Sequence, residues 1–448
     1  MLTFSHCQRS RTDVALVILF IAIMGFPQTV QALDAPAVKV AVDRILDVEY
    51  PHLDALYKDI HAHPELGFQE VRTATKLAAE MRALGFEVTE HIGKTGLAAV
   101  YHNGPGPMIM VRTELDALPM EEKTGLPYAS RAKAQWNGHE TFVDHSCGHD
   151  IHMAAWVGTG KTLLALKTQW RGSLLFIAQP AEEVDGGARG MIADGLFTRF
   201  GKPAYGLALH DGPAASGEVS YLPGPESANS DEFDIVFHGR GGHGAMPSAT
   251  IDPILIAARF VVDVQSVISR EKEASAFGVV TVGGFQAGSA GNIIPDQAVL
   301  RGTIRNYDPL VRKKLIEGVD RTARAEAMMA CAPAPDIRFL AYGTAVFNDP
   351  ELTARTAAVF KAAFKEKAGL MGGPTPTSED YSEFINAGVP SVFFNIGATD
   401  PAKVAAAKAG GAPVPVNHSP FFAPVPETTI RTGVEAMTLA VMNLLPAT

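Results

Sequence analysis

The stretch that decides the fold is "MAAWVGTGKTLLALKTQWRGSLLFIAQP", residues 153–180. Its first part carries apolar side chains along a helix-length segment, and "SLLFIAQP" is an apolar run ending at a proline, typical of a buried strand. The same alternation extends outward, with a helix predicted in "QEVRTATKLAAEMRALG" and strands in "FEVTEHI", "GLAAVYH", "MIMVRTEL", "AYGLALH" and "SVFFNIG". This order predicts an α/β fold whose mostly parallel sheet has helices on both faces.

A second block interrupts this pattern at residues 228–338. Its predicted elements follow the order β-α-β-β-α-β of the split ferredoxin-like unit, with strands "DEFDIVFHG", "FGVVTVGGFQAG", "AVLRGTIR" and "DIRFLAY". We therefore predict one α/β domain made of residues 33–227 and 339–448, interrupted by a smaller α+β domain. Near the end, "AKVAAAKAGGAPVPV" (residues 402–416) is predicted to be a loop, and Ser378 is predicted to cap a helix.

The first 32 residues predict a signal peptide. Arg9 and Arg11 precede the apolar run "VALVILFIAIMGF", and Val30 and Ala32 fit a small-residue cleavage site. The chain is therefore expected to be exported to the periplasm or secreted, with cleavage after Ala32. An uncleaved anchor and a buried helix are the alternatives. The apolar run is short for a membrane span, and we expect no stable span after cleavage.

Composition limits the partners of the protein. The chain has 448 residues, a formal net charge of -10 and 47% hydrophobic residues, an ordinary globular profile. It lacks a basic run, so nucleic acid is not an expected partner. Two of its three cysteines, Cys147 and Cys331, lie beyond the signal segment, and they do not make a disulfide framework.

The polar motif "HSCGHD", residues 145–150, lies next to a predicted helix. One glycine separates Cys147 from His149, so a loop that closes onto the helix directs both side chains to one point. Thiolate and imidazole are preferred ligands of zinc-like ions. The alternative is an ordinary loop in which Asp150 caps the helix.

A pair of glutamates follows a buried strand in "QPAEEVDGG", residues 179–187. If the backbone is extended there, Glu182 and Glu183 point in opposite directions. One carboxylate can then bind a cation while the other accepts a proton from an activated water. A charged surface turn is the alternative, because glutamates are mostly exposed.

Two further histidines complete the candidate site. His210 ends the strand "AYGLALH", and His418 lies in "VPVNHSPFF"; each alone is typical of a structural or turn residue. Ligands of open α/β sheets bind beyond the carboxyl ends of strands, where Glu183 and His210 also lie. The five candidate ligands predict two divalent ions that share one bridging group. A thiolate can be that bridge, because two cations would keep it ionised.

These residues resemble the aminoacylase-like dinuclear metallopeptidases, in the branch of hippurate hydrolases and plant indoleacetyl-amino-acid hydrolases. The resemblance runs over most of the chain. It is carried by "HAHPELGFQE", "VRTELDALPMEEKTGLPYAS", "HSCGHDIHMAAW", "QPAEEVDGGARGMIADG", "GRGGHGAMPSATIDPI" and "NIIPDQAVLRGTIR". It implies a zinc-peptidase-like catalytic domain with an inserted lid and dimerisation domain, and a homodimer.

The resemblance also implies roles for individual residues. Cys147 is the expected bridging ligand, Glu182 the general base, and Asp116 the residue that orients a ligand histidine. His243 is expected to reach the active site of a partner subunit and steady the oxyanion. The remaining implied roles are those of metal ligands (His149, Glu183, His210, His418) and substrate-binding residues (Asn292, Arg305).

The implied activity is hydrolysis of the amide bond of N-acyl amino acids, such as hippurate-like conjugates, to a carboxylic acid and a free amino acid. The two ions are expected to be zinc, or manganese, cobalt or nickel. A dinuclear dipeptidase or carboxypeptidase is a second possible enzyme, and a non-catalytic periplasmic binding protein is a possibility of another class. A hydrolase in which Cys147 attacks directly is also possible, and its activity should survive chelation, whereas that of a metal enzyme should not.

Overall fold

A computed structural model describes residues 33–447, so the predicted signal peptide lies outside the described residues. Its strands, in chain order, are β1 (Glu87–Ile92), β2 (Gly96–Asn103), β3 (Met108–Glu114), β4 (Lys133–Trp136), β5 (His139–Phe142), β6 (Gly172–Gln179), β7 (Tyr205–Ala215), β8 (Val219–Tyr221), β9 (Gly224–Pro225), β10 (Asn229–His238), β11 (Gly242–His243), β12 (Gly278–Ala287), β13 (Ile293–Ile294), β14 (Gln297–Asn306), β15 (Asp336–Gly343), β16 (Phe347–Asn348), β17 (Ala368–Leu370) and β18 (Ser391–Thr399).

The α-helices are α1 (Ala35–His61), α2 (Val71–Ala83), α3 (His149–Ala165), α4 (Gly187–Ala193), α5 (Leu196–Phe200), α6 (Pro253–Asp263), α7 (Pro309–Met329), α8 (Pro350–Phe364), α9 (Ser382–Asn386), α10 (Pro401–Lys408) and α11 (Pro426–Met442). Helices α6, α7, α8 and α10 each begin at an Asp-Pro pair. The aspartate side chain accepts an amide N–H of the first turn, and proline suits the first helical position. Within residues 33–447, none of the helices has the length and hydropathy that a membrane crossing requires.

The larger sheet of the described chain has the strand order β1-β2-β6-β3-β7-β18-β8-β17. Its centre is parallel, from β6 through β3 and β7 to β18. Antiparallel pairs flank that centre at β1–β2, β2–β6 and β18–β8. The prediction of a mostly parallel sheet is therefore confirmed for the strands that carry the candidate site.

Helices cover both faces of this sheet, as predicted. Alternate side chains of β3 enter different cores, because successive residues of a strand point to opposite faces. Ile109 and Val111 pack in the core that includes α1, α3 and α11. Met110 packs on the opposite face in the core that includes α4, α5 and α9.

The smaller sheet has the antiparallel order β12-β14-β10-β15, with α6 and α7 between its strands in the chain. This is the predicted β-α-β-β-α-β arrangement. The sheet has a core of its own, in which Phe233, Leu300, Phe260 and Leu315 pack together. The domain boundaries at residues 228 and 338 stay a prediction.

Two local predictions were wrong, one of them only in part, because residues 409–416 of the predicted loop lie outside helices and strands. Residues 401–408 form helix α10 rather than a loop, because Asp400 caps the helix by accepting from the amide of Ala402, and alanine-rich sequence favours helix. Ser378 does not cap a helix, since α9 begins at Ser382.

Candidate metal centre

The candidate site lies at the carboxyl ends of the central parallel strands. Strand β3 ends at Glu114, two residues before Asp116, and β6 ends at Gln179, just before Glu182 and Glu183. His210 lies on β7, paired with Asn395 of the neighbouring parallel strand β18. Tertiary structure thus brings together segments that are far apart in sequence, as open α/β sheets commonly do.

The "CGHD" loop turns sharply before helix α3. Gly148 is the N-cap in the left-handed region, with φ 90° and ψ 12°, a conformation that glycine adopts readily. A Cβ at this position would lie 2.6 Å from Cγ of Asp211, so a side chain is excluded. Asp150 lies inside the first turn, which rules out its alternative role as the helix cap.

The two glutamates lie on a single 3₁₀ turn, Glu182–Val184, so the expectation of extended backbone was wrong. Residues in the left-handed region flank the turn, with φ 50° at both Ala181 and Asp185. The carboxylate of Asp116 accepts the amide N–H groups of Glu182 and Glu183, each at 3.0 Å. This buried aspartate sets the geometry of the turn, which leaves Glu182 and Glu183 free to point into the site.

Cys147, His149 and Glu183 converge as the sequence predicted, offering ligand atoms within 4.8 Å of one another. His149 donates from Nδ1 to the backbone oxygen of Asp116 at 2.8 Å, so the carbonyl of Asp116, rather than its carboxylate, orients the imidazole. Nε2 of His149 then faces Glu182 Oε2 at 3.9 Å and Glu183 Oε1 at 4.0 Å.

The other two predicted ligands lie beside this group. Nε2 of His210 is 3.4 Å from Sγ of Cys147, while its Nδ1 is held by the backbone oxygen of Asp211 at 2.7 Å. Nε2 of His418 is 3.4 Å from Oε1 of Glu183. The structure therefore brings all five predicted ligands to the same edge of the sheet, at the carboxyl ends of its central strands. Their role as metal ligands stays a prediction.

The donor set fits a divalent ion. Nε2 of His149 is buried without a hydrogen-bond partner among the described residues, and such an atom is costly unless something binds it. Burial lowers the pKa of His149 to about 3, so its imidazole is neutral and keeps a lone pair. Burial and nearby carboxylates raise the pKa of the Cys147 thiol, a shift that a bound cation would reverse.

Glu182 is buried next to these ligands and lies in a second group with Glu379 and Asp380. Burial, and then repulsion from Glu379 and Glu183, raise its pKa well above the ordinary value for a glutamate. A carboxyl group with a raised pKa is suited to accept and hold a proton near neutral pH.

The sequence interpretation missed a buried charge network behind the site. Arg112, on β3, donates to Gln179 Oε1 at 3.0 Å and to Glu379 Oε1 at 2.8 Å, and it also pairs with Glu114. Glu114 in turn lies 3.0 Å from Nδ1 of His152. The sequence contained a signal for this network, namely Arg112 and Glu114 in the otherwise apolar strand "MIMVRTEL". Charged side chains within a buried strand are rarely unpaired, so they indicate charged partners elsewhere in the chain.

Asp211 joins three segments of the site. Its Oδ1 lies 3.3 Å from Nε2 of His152 and accepts from Nδ2 of Asn417 at 3.3 Å. Asn417, next to His418, also donates to the backbone oxygen of Cys147 at 2.8 Å. The aspartate packs against Gly148, so it helps to hold the "CGHD" loop in place.

The two histidines of "HAHPELG" differ in their surroundings, and only His61 contacts the start of α3. His61 is buried, with Nδ1 2.6 Å from Asp150 Oδ2 and Nε2 3.2 Å from Glu122 Oε1. His63 is exposed and bonds to the backbone oxygen of Asp59. His61 therefore stabilises the first turn of α3, the helix that carries His149.

A cavity of about 620 Å³ opens onto the ligands. Arg305 and Glu182 line it, but His243 and Asn292 do not. These two are exposed on adjacent segments, where the amide of Gly244 donates to the backbone oxygen of Asn292 at 2.8 Å. Within the single chain, the structure thus places Arg305 at the site and leaves His243 and Asn292 outside it.

Comparison with known proteins gives consistent results. Residues 110–443 match the model of Peptidase family M20/M25/M40. The hippurate hydrolase of Campylobacter jejuni is 36% identical over 350 residues, which cover 77% of this chain and 87% of that protein. The N-acetylcysteine deacetylase of Bacillus subtilis is 34% identical over 334 residues, with coverage of 72% and 83%. A solved structure of the Bacillus subtilis YXEP protein, a dinuclear metal-binding peptidase of the M20 family, is similar with a TM-score of 0.73 and 27% identity, covering 89% of this chain and 99% of that one.

Proposed function

The chain belongs to peptidase family M20/M25/M40, and from this premise we propose that it is a metal-dependent amidohydrolase of N-acyl amino acids. It cleaves the amide bond to give a carboxylic acid and a free amino acid. Relatives named hippurate hydrolase and N-acetylcysteine deacetylase support this substrate class.

One observation carries the proposal. Cys147, His149 and Glu183 offer ligand atoms within 4.8 Å of one another, and Nε2 of His149 has no hydrogen-bond partner among residues 33–447. Glu182 is adjacent, on the turn that Asp116 holds. A general base beside an ion site is the arrangement that amide hydrolysis by activated water requires.

Two divalent ions held by Cys147, His149, Glu183, His210 and His418 would polarise the amide carbonyl and make a water molecule more acidic. Glu182 accepts the proton of that water as it attacks, and then delivers it to the departing nitrogen. Arg305 binds the carboxylate of the amino-acid half, because a guanidinium can form two parallel hydrogen bonds with it.

His243 and Asn292 are proposed to act from a partner subunit. Both are exposed and outside the cavity of their own chain, so in a homodimer they are available to another site. In this proposal His243 donates to the oxyanion that develops on the former carbonyl oxygen. The ions are proposed to be zinc, or manganese, cobalt or nickel, and the enzyme is proposed to act outside the cytoplasm after removal of residues 1–32.

The test is a panel of N-acyl amino acids assayed with the metal-loaded enzyme, with benzoylglycine and N-acetylcysteine as first members. Release of the free amino acid is measured before and after chelation and after metal is restored. We expect turnover that chelation abolishes and metal restores.

Competing functions give different results in this panel. Binding of the panel compounds without turnover supports a binding protein, and turnover that persists in chelator supports a cysteine nucleophile. Cleavage of dipeptides without cleavage of any acylated amino acid supports a peptidase. Each of these results contradicts the proposed function.

A further inference from the structure

Glu226 is a buried carboxylate in the wall of the cavity, and the proposed mechanism does not use it. It is 3% exposed, and it lines the cavity together with Arg305 and four of the five predicted ligands, all except His149. It follows the short strand β9 and lies near His210, because its partner Asn395 is paired with His210 in the sheet.

The protein supplies little compensation for this charge. Nδ2 of Asn395 donates to Glu226 Oε1 at 2.9 Å and is the one side-chain donor to this carboxylate within residues 33–447. The hydroxyls of two threonines in the cavity wall donate elsewhere, since Thr375 donates to the backbone oxygen of Glu226 and Thr377 donates to Thr375.

The pKa of Glu226 reflects this lack of compensating donors. Burial, with repulsion from Glu379, raises the pKa of Glu226 to about 7, and no positive side chain contributes to lowering it. A buried carboxylate with one neutral donor is unfavourable unless a ligand compensates it. The second carboxylate oxygen is available to such a ligand.

The same cavity holds the opposite charge on Arg305, whose guanidinium donates to the backbone oxygen of Ile304 at 3.3 Å. Of the other cavity carboxylates, Asp185 interacts electrostatically with Arg305, and Glu379 pairs with Arg112. If Arg305 takes the carboxylate of the substrate, Glu226 therefore offers a complementary group for a positive charge on the same substrate. A benzoyl or acetyl group carries no such charge.

We infer that Glu226 forms a subsite for a protonated amine of the substrate, which makes it a specificity-determining residue. This inference rests on the proposed function. The amine has two chemical sources, the α-amine of an aminoacyl group in the acyl half and the side chain of lysine in the amino-acid half.

Two matched pairs of substrates test the inference with the metal-loaded full chain. Glycyl-phenylalanine and propionyl-phenylalanine differ by an ammonium in place of a methyl group in the acyl half. Nα-acetyllysine and acetylnorleucine differ by the amine in the amino-acid half. The quantity measured is the ratio of kcat/KM within each pair, for the wild type and for Glu226→Gln.

We expect the wild type to prefer the amine-bearing member of one pair by about tenfold or more, the scale of a desolvated charge pair. Glu226→Gln should remove this preference by raising KM for the amine-bearing member of that pair. Glu435→Gln is the matched control, because Glu435 is also buried with a pKa raised to about 7 by burial but lies outside this cavity.

The pair that shows the preference identifies the source of the amine. Equal kcat/KM within both pairs, or a preference that survives Glu226→Gln, overturns the inference and leaves the proposed function intact. If none of these compounds and no member of the acyl-amino-acid panel is cleaved, the proposed function fails. In that case the binding of glycyl-phenylalanine and of Nα-acetyllysine to the wild type and to Glu226→Gln is measured by calorimetry. Weaker binding of either compound to Glu226→Gln supports the subsite. Equal binding of both compounds to the two proteins refutes it.

Discussion

Replacing Gly148 by alanine tests how the "CGHD" loop is held. This glycine has φ 90° and ψ 12° between two predicted ligands, Cys147 and His149. An added Cβ would lie 2.6 Å from Cγ of Asp211 and closer still to its Oδ1. Asp211 must therefore move, together with the contacts that it makes to His152 and Asn417.

The loss of stability has two parts. The left-handed conformation costs a residue with a Cβ roughly 1–2 kcal/mol. Displacing Asp211 weakens hydrogen bonds to a charged group, each worth about 1.5–3 kcal/mol. If the displacement costs about the equivalent of one such bond, Gly148→Ala should lower the free energy of unfolding by about 3–5 kcal/mol in total.

Gly410→Ala is the matched control. Gly410 has φ 92°, but a Cβ there meets no atom within 4 Å, so this variant bears only the conformational cost of about 1–2 kcal/mol. Both variants are unfolded with urea in the presence of a chelator, so that metal loss does not contribute to the difference. Metal content of the loaded proteins is measured separately, and we expect it to fall only for Gly148→Ala.

The difference between the two variants isolates the clash with Asp211. Equal losses of stability would refute the reasoning, because the cost would then come from backbone conformation alone. Full metal content in a strongly destabilised Gly148→Ala would show that the contact with Asp211 does not position the predicted ligands.

Three further predictions concern the site. Glu182→Gln should lower kcat roughly 10²–10⁴-fold with unchanged metal content, and turnover near the wild-type value would show that the base is another residue. Cys147→Ala should lower the number of bound ions measured by elemental analysis, which would stay unchanged if the thiol were not a ligand. Although burial alone would lower it, the hydrogen bonds and charges of Asp150 and Glu122 raise the pKa of His61 to about 10. The stability that His61 gives is therefore complete below about pH 6.5 and lost as pH rises towards 10. Urea unfolding without metal should show the advantage of wild type over His61→Gln shrinking across that window, and a constant difference would mean that the imidazole is uncharged.

Most of the fold could be predicted from the chain itself. Apolar runs and helical spacing located the central strands and the helices α2, α3, α6 and α7, because these patterns record which side chains are buried. Helices α1 and α11, which also pack on the larger sheet, were not located individually. Helix α10 was missed where low complexity suggested a loop, although Asp400 and Pro401 are a strong helix start. The glutamate turn was missed because its conformation depends on Asp116, a residue far away in sequence.

The sequence by itself determined the chemistry available to this protein: a thiol, carboxylates and imidazoles in short motifs next to strands. Only the tertiary structure decided which of these groups meet, that Arg112 and Glu114 support the site from behind, and that Glu226 faces the cavity with one donor. The reason is physical. Local patterns depend on neighbours along the chain, whereas distance, desolvation and charge pairing depend on segments that meet only when the sheet has formed.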